Sequence, residues 1–340
     1  MRYEKKVLVL GGSLIVLLGI WAGGLLFSPD RLTARAEAGS LLAGPVDSAA
    51  TITLVGGGGL TLQKQGGSWY LVDGPQHFPV QASRVSSFLE ALASVKRLRP
   101  LAQSREAWAG FSLDDAQAKS ITVKAASGST LTDLRVGGYG PTGAEVYVRR
   151  SGSDTSYAAD ASFAAYLSYG RSGWLDLQIL PQMPVTDIQG ISVQSGLRLD
   201  GPAKPPLALE YRLTRSSQGW SGLAGLDPNA VDGLARSLLS LEAEDYVAAP
   251  PANCFEPVSA RIELSLGAGG SKVIEIGRAV ATPAPIPAPS AAGAAPAASA
   301  PTAAPERFYG RLAGSPYVFE ISSYSLRASL KSPADLIVRK

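Results

Sequence analysis

A chain of 340 residues, 46% hydrophobic and 17% charged, has the balance of a folded protein long enough for two domains, which excludes a disordered or fibrous polymer. One cysteine excludes an internal disulfide framework, and one cysteine with one histidine excludes a zinc site built from those residue types. The formal net charge is only +3, with no Lys/Arg stripe interleaved with aromatics, so nucleic acid is not an expected partner.

The first element is apolar. "MRYEKK" precedes residues 7–27, a stretch without a charge. As a helix rising about 1.5 Å per residue it is roughly 30 Å long, the thickness of the hydrocarbon layer of a bilayer. A cleaved secretory signal has a shorter apolar region ending at a small-residue site, and the A-x-A candidates around Ala34, Ala36 and Ala38 lie well beyond this one. The reading is therefore an uncleaved, single-pass transmembrane helix in contact with the lipid bilayer. Arg2, Lys5 and Lys6 leave residues 1–6 in the cytoplasm, and residues 28–40 become a tether to an extracytoplasmic, periplasmic body. Without residues 1–27 the chain keeps 28 basic residues (31 less three) against 27 acidic (28 less one), which attracts no polyanion.

Beyond the tether the chain repeats itself. Pro45-Val46 stands seven residues before Ile52, as Pro184-Val185 stands seven before Ile191; Leu62 lies seven before Trp69, as Leu213 lies seven before Trp220. Each tryptophan follows a Gly-containing turn and marks a hairpin. A helix-period segment comes next: Val85, Phe88, Leu92 and Val95 in one half, Val231, Leu234, Leu238 and Leu241 in the other, at identical offsets on one amphipathic face. Asp227-Pro228 adds a cap followed by proline at the first helical position. Phe111 with "SITVKA" and "TDLRVGG" parallels Phe255 with "ARIELSL" and "KVIEIGR", two pairs of alternating strands. "VYVRRSGSDTSYAAD" and "FYGRLAGSPYVFE" then close each copy with Tyr two residues before Arg, a Gly/Ser turn and a second Tyr.

The expected fold class is α+β: two tandem copies of a mostly antiparallel sheet, each with one packed amphipathic helix, after a single transmembrane helix. The copies are residues 41–178 and 179–340, each of ordinary domain size. Residues 279–305, "AVATPAPIPAPSAAGAAPAASAPTAAP", fall between two strands of the second copy where the first has only "GYGPTGA". Their charge-free Ala/Pro composition predicts a disordered insert rather than a linker between domains.

Motifs for chemistry are few. Gly138, Gly140 and Gly143 spell G-x-G-x-x-G, but "AEVYVRR" follows as a strand where a dinucleotide site needs a helix, so a hairpin turn is expected. The "GGGG" at 56–59 lacks the Lys-Ser/Thr of a P-loop. His77 sits beside Pro and Phe and has no counterpart in the second copy; Cys254 adjoins Phe255 and reads as a small core hydrophobe. Asp114-Asp115 and Glu242 with Glu244-Asp245 are solvated runs by default. Arg149 and Arg311, each two residues after Tyr147 and Tyr309, are the polar positions that recur. They read as strand arginines stacked on aromatics or paired with an acid, and as possible interaction residues. No catalytic, cofactor-binding or metal residues are assigned.

The N-terminal anchor followed by Trp, amphipathic helix, Phe and "ITVKA…LRVGG…VYVRR" resembles the bacterial family called domain of unknown function 4340, over residues 41–340 in tandem. The resemblance implies a membrane-anchored protein, often encoded beside ABC-2-type transporter and gliding-motility-like permease components, with no agreed catalytic residues. The expectation is a non-enzymatic binding or scaffold module on the cytoplasmic membrane, accessory to an export or envelope machine. Its partner would be a transporter permease or an exported cargo, and it would need no cofactor. The alternative is an envelope hydrolase working through carboxylates, which predicts a deep pocket with two acids about 5 to 9 Å apart.

Overall fold

Alternating apolar and polar residues along "AATITLV", "KSITVKA" and "ARIELSL" put every second side chain on one face, and these segments are strands that bury that face. A computed structural model of the chain describes residues 37–38, 40–56, 59–95, 97–199, 205–267, 269–281 and 306–338. They form two units that divide between Trp174 and Leu175.

The first unit contains β1 (Glu37–Ala38), β2 (Ala49–Val55), β3 (Leu60–Gln65), β4 (Ser68–Asp73), β5 (Gln76–Pro79), α1 (Ala82–Ser94), β6 (Arg97–Ala102), β7 (Lys119–Ala125), β8 (Thr130–Tyr139), β9 (Glu145–Arg150), β10 (Ser156–Asp160) and the one-turn α2 (Arg171–Trp174). The second contains β11 (Ile188–Leu197), β12 (Leu207–Ser216), β13 (Gly219–Ser221), α3 (Pro228–Leu239), β14 (Asp245–Tyr246), β15 (Ala260–Leu266), β16 (Ser271–Ala279), β17 (Arg307–Leu312), β18 (Val318–Ser322) and α4 (Ser323–Ser329).

Each unit has its own antiparallel sheet, and the strand orders match. From one edge the first sheet runs β5-β4-β3-β2-β7-β8-β9-β10-β6-β1, and the second runs β13-β12-β11-β15-β16-β17-β18-β14. Aligning β4 with β13 brings every later strand onto its counterpart, and the first sheet keeps one additional strand at each end. The register agrees as well: Ile52 lies between Leu62 and Val123, and Ile191 between Leu213 and Leu264. A shift of one residue would turn each of these side chains to the opposite face, so the shared register keeps equivalent residues in equivalent cores.

The amphipathic helices cover those faces. Val85, Phe88, Leu92 and Val95 are buried in the first unit, and Val231, Leu234, Leu238 and Leu241 in the second. In the second unit Asp227 accepts from Asn229 N at 2.9 Å ahead of Pro228, satisfying an N–H that the first helical turn leaves without a partner. Asp227→Ala is expected to cost about 1 kcal/mol, read as a lowered urea midpoint with unchanged slope.

Several boundaries differ from the sequence reading. The division falls after Trp174 rather than after 178, because Leu177 packs against the second core and its carbonyl accepts from Ala243 N, while Gln178 bridges to Glu242. Part of the expected tether at 28–40 is structured: Glu37 and Ala38 pair with Leu98 and Arg97. The Ala/Pro insert begins later than 279, since Ala279 pairs with Phe308 and Val280 N donates to Arg307 O. Residues 282–305, the expected disordered tract, lie outside the described residues, as does the expected transmembrane helix at 7–27. Among the described residues no helix is long and apolar enough to cross a membrane.

Candidate functional site

The repeated Tyr-x-Arg places tyrosine and arginine on one face of equivalent strands, β9 and β17. Arg149 is almost fully buried: its Nε donates to Leu113 O at 3.0 Å, a terminal nitrogen reaches Asp115 at 2.8 Å, and the guanidinium lies 3.8 Å from the centre of the Trp108 ring. Arg311 donates from Nε to Glu275 at 2.7 Å and stacks 4.2 Å from the Phe255 ring centre. Its side chain is 42% exposed, against 6% for Arg149. Tyr147 packs on Phe111 with ring centres 4.9 Å apart, and Tyr309 is buried with Cys254 and Phe255.

The two units reach this arrangement with different residues. Arg149 faces Arg135 across the ladder, whereas Arg311 faces Glu275, so the acid comes from a loop in one copy and from the neighbouring strand in the other. The stacking aromatic also changes place. Phe111 and Phe255 are parallel in sequence, yet Trp108 lies under Arg149 and Phe255 under Arg311. What both units keep is a buried face held by an arginine clamped between an aromatic plane and an acid.

A glycine beside each clamp was not singled out from the sequence. Gly137 on β8 and Gly277 on β16 sit at equivalent bulges, where the register shifts between Val136 and Tyr139 and between Ile276 and Ala279. A Cβ at Gly137 would lie 2.2 Å from Phe111 O, and one at Gly277 would lie 1.9 Å from Cys254 O. The loop that carries the stacking aromatic runs against the strand at these points, which only glycine permits. The signal was present: "LRVGG" and "IEIGR" place glycine at one offset inside an alternating strand.

The other candidates hold ordinary positions. Gly143 turns between β8 and β9 at φ 74°, and β9 follows it as a strand. His77 lies on β5 with Nδ1 3.0 Å from Gln65 Nε2. Cys254 is buried, Asp114 caps its own turn through Ala116 N and Gln117 N, and the Glu242 backbone bridges to Gln178. Among the described residues, no three His, Cys, Asp or Glu side chains are grouped to hold a metal ion.

One further feature has no counterpart in the first unit. β12 runs ten residues, yet β13 covers only Thr214, Arg215 and Ser216. In the first unit β4 continues along β3 as far as Thr61, paired with Val72. In the second, the chain turns away at Gly222, where a Cβ would lie 2.2 Å from Arg212 O. Among the described residues no strand pairs with the outer edge of β12 from Leu207 to Leu213. Beneath that edge lies a groove of about 850 Å³ between the sheet, α3 and the segment after α4, with Leu207, Leu234, Leu330 and Leu336 among its walls. Tyr211, on the same face of β12 as Leu207, donates its hydroxyl to the carbonyl of Lys331, a residue of the groove wall, at 3.0 Å; burial raises that phenol far above its ordinary pKa, so it remains a donor. Among the described residues Asp335 is the acid lining the groove, and it accepts from Ser332.

Fold and site together define a tandem α+β protein of two topologically equivalent antiparallel units, with structural arginine clamps and, among the described residues, a β12 edge that its short neighbour β13 leaves largely uncovered. The chain belongs to the DUF4340 family, a domain of unknown function, whose profile matches residues 69–257. That match is one stretch spanning the boundary between the units, narrower than the 41–340 inferred from resemblance. No curated protein and no solved structure matches the chain.

Proposed function

We propose that this protein is a non-enzymatic binding or scaffold module, tethered to the cytoplasmic membrane through residues 7–27 and presenting its two units outside as an accessory to an ABC-type export or envelope machine. The observation that carries this reading is the way duplication treats the polar residues. Arg149 and Arg311 recur at one place, yet their acids come from Asp115 in one unit and Glu275 in the other, and their aromatics from Trp108 and Phe255. Such exchange preserves a clamp, for which any suitably placed acid and ring suffice, whereas a reactive constellation depends on particular groups at fixed geometry. The groove beneath β12 favours the same reading, because among the described residues its wall carries one acid rather than the facing pair that a carboxylate hydrolase uses.

The test is purification of the tagged full-length protein from membranes in a mild detergent, with quantitative mass spectrometry against an untagged control. Stoichiometric recovery of a membrane permease or an exported protein is expected. Recovery of the chain alone, together with a hydrolytic activity abolished by replacing Asp335, would overturn the proposal.

A further inference from the structure

We infer that the outer edge of β12, between Ala208 and Arg212, docks an extended segment of a partner protein, which adds antiparallel to the strand with a basic residue opposite Glu210 and an apolar residue on either side of it. This rests on the binding-module reading and names the kind of partner that the module takes.

The direction of the backbone groups follows from the ladder. Gly196 on β11 donates its N–H to Ser259 O, away from β12, and Gly196 is opposite Ala208. In an antiparallel ladder, residues opposite one another alternate between bonded and non-bonded pairs, so Ala208, Glu210 and Arg212 all turn their backbone groups to the far edge. The close approach of Gly222 to Arg212 O agrees. Ala208 N donates to Pro206 O at 2.9 Å, and Gly222 shields Arg212 O. Among the described residues, the groups left for a partner strand are Arg212 N–H, both groups of Glu210, and Ala208 C=O. One short antiparallel strand can satisfy all of these.

Side chains set the partner's chemistry. Leu209 and Tyr211 are buried and Glu210 is exposed, so partner residues beside the first two point into the groove and the residue between them points to solvent facing Glu210. The groove walls of Leu207, Leu234, Leu330 and Leu336 suit apolar side chains, and the Glu210 carboxylate suits a lysine or arginine. A second copy of this chain fits less well. Two-fold pairing along the whole edge centres on Glu210 and sets it against itself, and like charges directly opposite are destabilising.

The test uses the full chain in detergent and a fluorescein-labelled peptide, Ser-Thr-Leu-Lys-Leu-Thr-Ser, followed by fluorescence polarisation. Saturable binding is expected, about fivefold weaker when the central Lys is replaced by Glu. Glu210→Lys should reverse that preference. Glu210→Pro removes the edge N–H without touching the ladder to β11 and should weaken binding by about tenfold or more. If Glu210→Pro fails to fold, the Glu210→Lys reversal still decides. Absence of saturable binding, or an unchanged preference with Glu210→Lys, would overturn the inference. If instead a permease co-purifies equally with wild type and Glu210→Pro, the module reading stands and the edge site falls. If the peptide binds as expected while nothing co-purifies, the site stands and the accessory role falls.

Discussion

Replacing Gly277 with alanine is expected to destabilise the second unit by about 3 kcal/mol, the upper part of the range for overpacking. The added methyl would lie 1.9 Å from Cys254 O and 2.9 Å from its carbonyl carbon, backbone atoms that no rotamer change can move aside. Relief requires the loop that carries Phe255 to withdraw, which also loosens the aromatic plane under Arg311. Gly137→Ala should do the same in the first unit, meeting Phe111 O at 2.2 Å. Gly233→Ala provides the contrast: it lies inside α3 with nothing within 4 Å of the new Cβ, so it should raise stability by about 0.5 to 1 kcal/mol. Urea unfolding of the three variants, monitored by tryptophan fluorescence, tests the pattern; equal effects at Gly277 and Gly233 would contradict the close-approach explanation.

The second large effect is expected at Arg149. Arg149→Ala leaves Leu113 O without its donor and uncovers one face of Trp108, a loss of about 3 kcal/mol when the unmet carbonyl and the cation–π contact are taken together. Arg149→Lys keeps the charge but not the planar stack, and should recover less than half of that. Asp115→Asn should cost under about 1 kcal/mol, because Asp115 is 81% exposed and water screens its pair with Arg149. Arg311→Ala should fall between, about 1 to 2 kcal/mol, since its partner Glu275 is largely buried while the arginine is half open to solvent. A ranking in which Asp115→Asn exceeds Arg149→Lys would show that the ion pair rather than the stack holds the clamp.

Periodicity carried most of the architecture. The shared offsets of Val85, Phe88, Leu92 and Val95 with Val231, Leu234, Leu238 and Leu241 marked both helix faces, and all eight are buried. Turn chemistry identified the G-x-G-x-x-G as a hairpin, because "AEVYVRR" alternates. The equivalence of Trp69 and Trp220 holds in register, where they face Lys64 and Arg215, but not in surroundings. Trp69 is buried, whereas Trp220 donates to Asp232 at 2.9 Å and stacks with Arg215. Identity at one spacing conveys backbone placement and leaves the neighbours of the side chain to residues far away in sequence.

That distance explains the misses. Trp108 reaches Arg149 across 41 positions and Asp115 across 34, so no local pattern links either to the clamp. The boundary after Trp174 depends on Leu177 joining the core of the second unit and Gln178 bridging to Glu242, a choice between two apolar surfaces that periodicity does not make. The open edge of β12 was partly visible: "LALEYRLTRS" alternates for longer than "LTLQKQ", and a glycine ends the short strand after it. Nothing local shows that the next segment departs for α3 rather than continuing the sheet.

Amide hydrogen exchange on the full chain, with and without the Leu-Lys-Leu peptide, bears most directly on an account in which two equivalent units share a frame and β12, unlike its covered counterpart β3, leaves its edge to bind with. The amide of Thr61, paired with Val72, should exchange slowly throughout, while Glu210 and Arg212 exchange quickly and slow down when the peptide is added. Slow exchange at Glu210 and Arg212 before the peptide is present, or fast exchange there that the peptide leaves unchanged, would contradict it.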